Sequence, residues 1–326
     1  MLYLDDVWVW DSWPVTDGDT YHLFFLYAPR SLGDPDLRHV SARIGHVTST
    51  DLRAWTRLPD PVSPGPAGSF DEVACWTGST VRGPGGRWYL HYTGLTHTDV
   101  AAGLHRQRVG LAVSDDLVTW TKVDASTIDA DPRWYEVAGE PPAYQEAWRD
   151  PWVFPDPRGD GWHLLATATA AASTTAGVGD DDRGVLGHAW SADLTGWEVR
   201  APLSSPGAGF SQLEVPQLVE VDGRTHLVFS CLAPELAGWR RGPGVTGGHW
   251  VVPDVDPLGP YDVATAVPLT DDTLYAGRVL IDPQQQPVLL AFVNRHAGGP
   301  FAGVISDPLP VELGPHGPAR VISAPH

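Results

Sequence analysis

The chain has 326 residues and a formal net charge of −19, which argues against nucleic acid or an anionic membrane surface as its partner. Its 35 glycines, 31 prolines and 15 tryptophans indicate many turns and an aromatic core. No run is long enough to span a membrane, and nothing at the N-terminus resembles a signal peptide. We therefore predict a cytoplasmic location.

One sequence pattern recurs along the chain. Its clearest part is Ser-x-Asp-Leu-x-x-Trp, which begins at Ser49, Ser114 and Ser191. A degenerate copy spans 253–261, and a fainter one begins at Ser306. The serine and aspartate predict a turn, while the leucine and tryptophan are expected to pack between neighbouring units.

A strand after a turn rich in glycine and aspartate also recurs, once in each of five units. These strands are predicted at 21–27, 88–93, 162–167, 225–230 and 287–293. Propeller blades typically repeat about every 40–50 residues, and insertions lengthen them, so five units fit a chain of this size. The units also lack sustained helical periodicity. We therefore predict an all-β fold in which residues 1–326 form one domain, a single five-bladed β-propeller with four short strands per blade.

One segment of the third unit falls outside this pattern. Residues 170–175 and 179–182 are predicted to form an inserted surface loop. Asp180, Asp181 and Asp182 lack the regular ligand spacing of a calcium loop, so a solvated loop is favoured over a cation site. We predict no metal site and no cofactor.

Three carboxylates occupy equivalent positions on the first strands of their units, at Asp11, Asp150 and Glu214. Innermost strands of a propeller line its central channel, so the three acids should converge. Such a group among tryptophans suits glycosidic chemistry, because one acid must be ionised while another protonates the leaving oxygen. Crowding separates their pKa values. The alternative is that each acid forms a structural pair with a buried arginine, as Arg149 would with Asp150.

The motifs around these acids resemble those of levansucrases and invertases, which are glycoside hydrolase families 68 and 32. These are five-bladed propellers related to the arabinan-cleaving family 43. Segment 9–14 resembles the levansucrase nucleophile motif, and 75–79 resembles the levansucrase WSGS segment. Segment 149–151 resembles the RDP motif, and 214–216 resembles the acid/base motif.

The resemblance implies a role for each acid. Asp11 would be the nucleophile that forms a fructosyl ester, and Glu214 would act first as acid and then as base. Asp150 would stabilise the transition state. Substrate contacts are predicted for Trp10, Trp76, Thr77, Arg149, Gln212 and Tyr275.

The leaving-group side departs from the levansucrase pattern. Gln212 stands where levansucrases usually carry a second glutamate that contacts the glucosyl unit of sucrose. Arg240 and Arg241 are candidates for the arginine that binds the same unit. Because Gln212 is neutral, it should hold the departing sugar less firmly than a charged acceptor would. We therefore expect mainly hydrolysis, with short transfer products only at high substrate concentration.

These inferences predict a retaining glycoside hydrolase acting on β-fructofuranosides of the sucrose or fructo-oligosaccharide type. A small carbohydrate is its predicted partner, and its oligomeric state is not predicted. Three alternatives remain: a levansucrase-type transfructosylase, an inverting arabinofuranosidase of the family 43 type, or an inactive sugar-binding propeller. A retaining enzyme would place the carboxyl groups of Asp11 and Glu214 about 5–5.5 Å apart, and an inverting enzyme farther apart. The presence of all three acids argues against the inactive propeller, since a sugar-binding protein needs no proton donor.

Overall fold

The computed structural model of the chain describes residues 1–99, 104–123, 126–138, 146–295, 299–314 and 319–322. Their strands form five antiparallel sheets that follow one another along the chain. The first strands of the five sheets contact one another in a closed ring. The protein is therefore the five-bladed β-propeller predicted from the sequence, with the first strand of each blade innermost.

Blades I to III contain four strands each, in chain order from the inside outward. Blade I contains β1 (Val7–Asp17), β2 (Thr20–Pro29), β3 (Arg43–Ser49) and β4 (Thr56–Leu58). Blade II contains β5 (Ala74–Arg82), β6 (Trp88–Asp99), β7 (Leu104–Ser114) and β8 (Thr121–Lys122). Blade III contains β9 (Trp148–Pro155), β10 (Trp162–Thr169), β11 (Gly184–Ser191) and β12 (Trp197–Arg200).

Blade IV keeps this plan, whereas blade V modifies it. Blade IV contains β13 (Glu214–Val221), β14 (Arg224–Cys231), β15 (Gly248–Val252) and β16 (Val267–Pro268). Blade V contains β17 (Leu274–Ile281), β18 (Pro287–Arg295), β19 (Phe301–Ile305), β20 (Leu309–Glu312) and β21 (Arg320–Val321). Both β19 and β20 pair with β18, so the third strand of this blade is interrupted. The faint repeat at Ser306 lies between β19 and β20, where this strand is interrupted.

The segment before β1 pairs with β19 of blade V. Leu2 forms an isolated antiparallel bridge with Ile305, through backbone hydrogen bonds of 2.9 and 3.1 Å. Blade I begins at Val7, so this bridge links the first blade to the last. The ring of blades is thereby closed by backbone pairing as well as by packing.

The hairpins between first and second strands have the residues that their geometry requires. In blade IV, Asp222 and Gly223 connect β13 to β14 with φ values of 52° and 72°. A two-residue turn with both φ values positive matches the right-handed twist of the flanking strands. Aspartate and glycine adopt these values at low cost.

The Ser-x-Asp-Leu-x-x-Trp segments connect the third strand to the fourth in blades I, II and III. In the third copy, the carboxylate of Asp193 accepts from the backbone N–H groups of Thr195 and Gly196 at 2.8 and 2.9 Å. Leu194 is fully buried, and the Trp197 ring meets His91 of blade II edge-on at 5.2 Å. The predicted turn with packing between blades is confirmed.

Every first strand carries a β-bulge near the same end of the ring. The pairing with the second strand shifts between Trp10 and Ser12 in blade I and between Trp76 and Gly78 in blade II. Blades III, IV and V shift in the same place along their first strands, at 149–152, 214–217 and 275–278. A bulge bends the strand and redirects the side chain at that point. Five of them at one level therefore direct side chains into a common space.

The described residues contain seven helical segments, and all are short 3-10 turns between strands. They span Arg30–Leu32, Pro35–Ser41, Pro84–Gly86, Ala172–Thr174, Asp180–Asp182, Ala233–Glu235 and Val263–Thr265. None of the helices in the described ranges is long and apolar enough to cross a bilayer.

The segment at 170–182 is less exposed than predicted. Ala170, Ala171 and Asp182 are buried. The Asp182 carboxylate accepts from the backbone N–H of Gly209 at 2.5 Å and from the indole N–H of Trp239 at 2.7 Å. The interpretation of this aspartate as part of a solvated loop is wrong, because a carboxylate that satisfies buried N–H groups stabilises the packed segment.

Candidate active site

A cavity of about 540 Å³ lies at the end of the ring where the first strands of blades II to V begin. It is lined by the three predicted catalytic acids and by the six residues predicted to contact substrate. These are Trp10, Asp11, Trp76, Thr77, Arg149, Asp150, Gln212, Glu214 and Tyr275. The bulges bring them together, since each of the five first strands supplies at least one.

Glu214 is held at both carboxylate oxygens. The guanidinium Nη2 of Arg149 donates to Oε1 at 2.6 Å, and the Tyr275 hydroxyl donates to Oε2 through a short bond. The same Nη2 donates to Oε1 of Gln212 at 2.8 Å. Burial and the charge of Glu214 raise the pKa of Tyr275 well above its usual value, so its hydroxyl stays protonated as a donor.

Asp150 is almost fully buried, with 3% of its surface exposed. Its Oδ2 accepts from the Thr167 hydroxyl at 2.9 Å and from the Val215 backbone N–H at 3.2 Å. The Nε of Arg149 lies 3.5 Å from the same oxygen. Burial raises the pKa of Asp150, and the neighbouring charge of Arg149 opposes that effect.

Asp11 is the extra residue of the blade I bulge. Its Oδ2 accepts a hydrogen bond of 2.5 Å from the hydroxyl of Thr77, which is the extra residue of the blade II bulge. Burial, followed by the charge of Asp150, raises the pKa of Asp11 to about 7, and the bond from Thr77 opposes this shift. The carboxyl of Asp11 therefore changes its ionisation near neutral pH.

The electrostatics of the cavity couple its acids. Glu214 raises the pKa of Asp11 and of Asp150 through its charge. Burial lowers the proton affinity of Arg149, but the charges of Glu214 and Asp150 outweigh that effect and raise its pKa. The predicted alternative of structural pairing with Arg149 describes part of this geometry, since Arg149 contacts two of the three acids. The third acid, Asp11, is hydrogen-bonded to Thr77 instead.

Several cavity residues were missed by the sequence reasoning. Glu235 lies in the 3-10 turn after β14, and burial together with the charge of Glu214 raises its pKa to about 8. Arg38 and His39 lie in the 3-10 turn between β2 and β3. Burial lowers the pKa of His39 to about 4, so its ring is neutral at pH 7. The only signal for the latter turn is Asp34-Pro35, a helix start, and Asp34 does accept the N–H of Asp36 at 2.9 Å.

The two arginines proposed for the leaving sugar lie away from the cavity wall. Arg240 donates to the backbone carbonyls of Ala208 and Ala264, at 3.1 and 2.8 Å. Arg241 donates to the carbonyls of Pro234 and Leu236 at 2.6 Å each. Both guanidinium groups are occupied in holding loops together, so these two candidates do not line the cavity.

The described acids of the cavity do not form a metal site with one another. Within the described ranges, no three histidine, cysteine, aspartate or glutamate side chains are grouped as ligands of one metal ion. The acids of the cavity are bonded instead to arginine, tyrosine and threonine donors.

Comparison with known proteins adds three findings. Residues 12–298 match the N-terminal domain of the glycosyl hydrolases of family 32. The chain is 26% identical over 318 residues to the extracellular sucrase of Zymomonas mobilis, covering 87% of this chain and 73% of that protein. It is also 26% identical over 320 residues to the levansucrase of the same organism, covering 87% and 71%.

A solved structure shares the fold. It is the inulosucrase from Halalkalicoccus jeotgali bound to kestose, with a TM-score of 0.74 at 22% identity, over 98% of this chain and 90% of that one. The prediction of a cytoplasmic location is wrong, because the sucrases of Zymomonas mobilis that align with most of the chain are extracellular. The family match covers most of the five blades, so the chain belongs to glycoside hydrolase family 32 and is a glycoside hydrolase.

Proposed function

We propose that the chain hydrolyses β-fructofuranosides of the sucrose or fructo-oligosaccharide type, with retention of configuration. The observation that carries this proposal is the different bonding of three acids in one cavity. Asp11 accepts a hydrogen bond from a threonine hydroxyl, Asp150 is buried beside an arginine, and Glu214 is held at both oxygens. Different environments are what assign different protonation states to neighbouring carboxyl groups.

In the first step, the ionised carboxylate of Asp11 attacks the anomeric carbon of the fructosyl unit. The bond from that carbon to the glycosidic oxygen breaks, and Glu214 gives its proton to this oxygen as the leaving sugar departs. In the second step, Glu214 takes a proton from water, and the resulting hydroxide attacks the same carbon. The ester bond to Asp11 then breaks, and both side chains return to their starting forms.

Asp150 has a supporting role in this proposal. Asp150 lines the same cavity as Asp11 and Glu214, and its carboxylate would bond the hydroxyl groups of the sugar. The charge of Arg149 opposes the rise in the pKa of this carboxyl that burial causes. A charged hydrogen bond that strengthens as positive charge develops on the sugar ring lowers the barrier.

The leaving-group side supports hydrolysis over transfer. The amide oxygen of Gln212 already accepts from Arg149 at 2.8 Å, so it is engaged in holding the wall. Glu235, with its pKa raised to about 8, presents a neutral carboxyl group at pH 7. Neutral groups bond sugar hydroxyls less strongly than ionised ones do. Water should therefore compete successfully for the fructosyl ester.

The test compares the native chain with Asp11→Asn on sucrose, a fructo-oligosaccharide and an aryl arabinofuranoside. We expect the native chain to release fructose from the first two, with the initial product in the configuration of the substrate by NMR. Asp11→Asn should lose activity by several orders of magnitude, because the amide is not a nucleophile. Asp17→Asn, on the same strand but exposed, is the matched control and should remain active.

Three outcomes would contradict parts of the proposal. Near-normal activity of Asp11→Asn would remove its role as nucleophile. An inverted product, or turnover of the arabinofuranoside alone, would favour the family 43 type of reaction. Chromatography at high sucrose concentration decides between hydrolysis and transfer, and abundant polymeric levan or inulin would identify a transfructosylase.

A further inference from the structure

A second arginine lies behind the catalytic acids. Arg278 is on β17, three residues after Tyr275, and none of its surface is exposed. Its guanidinium lies 4.9 Å from the centre of the Trp152 ring. The nitrogens Nε and Nη2 have no hydrogen-bond partner among the described residues. A fully buried cation with two unpaired donors is costly, and such groups are retained where they perform a task.

The third nitrogen of this arginine holds the strand that carries Glu214. Its Nη1 donates to the backbone carbonyl of Val215 at 3.1 Å and, through a shorter bond, to that of Pro216. These two residues form the bulge that directly follows Glu214. Val215 has a φ of 51°, which is unfavourable for a β-branched residue and persists only where the surroundings enforce it.

The same bulge also holds Asp150. The backbone N–H of Val215 donates to Oδ2 of Asp150 at 3.2 Å, while its carbonyl accepts from Arg278. One strained residue is therefore bonded on one side to the guanidinium and on the other to a catalytic acid. Any rotation of this residue moves the direction of Glu214 and the bond to Asp150 together.

The charge of Arg278 acts on two of the acids. Burial lowers its pKa to about 10, and the charges of Asp150 and then Asp11 oppose that effect. The guanidinium therefore remains protonated at neutral pH. By reciprocity of charge interactions, it favours the ionised forms of Asp150 and Asp11. Arg149 stabilises Glu214 and Asp150 from within the cavity, whereas Arg278 acts from outside it, since it does not line the wall.

We propose that Arg278 is a positioning residue for the reaction: it fixes the bulge at Val215 and Pro216, and its buried positive charge acts on Asp11 and Asp150. This inference rests on the roles proposed for the three acids. It adds a residue that never contacts the sugar but fixes the direction of Glu214 and opposes the protonation of the aspartates.

The experiment uses two substitutions of this residue and one control. Arg278→Met removes the charge and both bonds to the carbonyls. Arg278→Lys keeps a charge but cannot form the same pair of bonds. Gln217→Leu is the matched control, because Gln217 makes two neutral hydrogen bonds of 2.8 and 2.7 Å to Val279 across the same seam between blades IV and V.

We expect Arg278→Met to lower kcat by about 100-fold with little change in KM, since a small displacement of a reacting group costs about that much. The acidic limb of its kcat/KM profile should move up by about one pH unit, because the ionised aspartates lose a nearby cation. Arg278→Lys should also lower kcat but keep the limb close to its native position. Gln217→Leu should be less stable than the native chain with an unchanged limb.

Carboxyl titrations followed by NMR with labelled aspartate provide a readout that does not need turnover. Arg278→Met should raise the pKa values of Asp11 and Asp150, and Arg278→Lys should not. A native kcat and pH profile in Arg278→Met, or unchanged aspartate titrations, would overturn the inference. If Arg278→Met does not fold, Arg278→Lys decides through its kcat, and a native value overturns the inference. A native chain that turns over no furanoside would refute the proposed function, and the titrations would still decide on Arg278.

Discussion

The inner bulges and the outer turns of the propeller solve the same backbone problem in different ways. The outer turns of blades I to III and the inner bulges of blades III to V both hold residues other than glycine at positive φ. The outer turns do so at Leu52, Leu117 and Leu194, with φ of 61°, 62° and 69°. The inner bulges do so at Asp150, Val215 and Ala276, with φ of 56°, 51° and 47°. The difference lies in what compensates the strain.

At the outer turns the compensation is local. The Ser191 hydroxyl accepts the N–H groups of Asp193 and Leu194 at 3.2 and 2.9 Å, two and three residues away. Burial of the leucine side chain supplies the remaining stabilisation that offsets the strain. Such a turn can be repeated wherever its seven residues recur, so it serves the construction of the blade.

At the inner bulges the compensation comes from other blades. The N–H of Asp150 donates to the hydroxyl of Thr93 at 3.0 Å, 57 residues away, and that of Ala276 to the hydroxyl of Ser230 at 3.1 Å, 46 residues away. Charged side chains take part, as with Arg278 and Val215. The comparison teaches that strain held by distant partners marks the functional end of this fold, whereas strain held locally marks its scaffold.

The largest expected effect that would sharpen this comparison is on catalysis at an inner bulge. Glu214→Ala should lower the turnover of sucrose or a fructo-oligosaccharide by about 100-fold or more, as loss of a general acid does. A nitrophenyl fructofuranoside should lose much less in the first step, because its leaving group needs little protonation. Glu220→Ala, on the same strand but exposed, should match the native chain in steady-state rates. Equal losses on both substrates would contradict the assignment of Glu214 as the acid.

The next effect concerns stability at an inner bulge. The folded pKa of Asp11, raised to about 7 by burial and then by Asp150, contributes stability below about pH 4 that is lost as pH rises through 7. Asp11→Asn removes that loss, so it should be more stable than the native chain at pH 8 by about 1–2 kcal/mol, after allowing for screening of a partly exposed side chain.

Urea denaturation at pH 4, 6 and 8 measures this difference, which should shrink towards zero at pH 4. Asp19→Asn, an exposed aspartate of the same blade, is the control and should show no such trend. A difference between Asp11→Asn and the native chain that does not change with pH would show that the carboxyl of Asp11 is not held protonated by its surroundings.

The smallest effect is expected at an outer turn. Asp193→Ala removes the acceptor of two backbone N–H groups and should lower the free energy of unfolding by about 1 kcal/mol, as the loss of a helix N-cap does. The bonds from Gly196 and then Thr195 lower the pKa of Asp193 to about 2, so its contribution is present above about pH 4 and lost as pH falls through 2. Thermal denaturation should show this loss of stability, while kcat should match that of the native chain. A large fall in kcat would contradict the distinction between strain in the scaffold and strain at the functional end.

Much of the scaffold was determined by the sequence itself. The repeat of Ser-x-Asp-Leu-x-x-Trp and the five hairpin turns predicted the number of blades. Turn hydrogen bonds form between neighbouring residues, and the alternation of side chains along a strand is visible in a short segment. The same repeats placed Asp11, Asp150 and Glu214 on equivalent strands. Since equivalent strands of a propeller meet at its axis, their convergence in one cavity followed from topology.

What only the tertiary structure decided was the partner of each side chain. No local pattern shows that Arg278 reaches Val215, that Tyr275 holds Glu214, or that Glu235 enters the cavity. Asp182 and Arg240 resembled exposed and substrate-binding groups respectively, yet both stabilise loops. Such contacts join residues on separate loops and blades, and their pKa shifts depend on burial and on summed charges. Those quantities exist only once the blades have closed into a ring, so short-range sequence patterns cannot contain them.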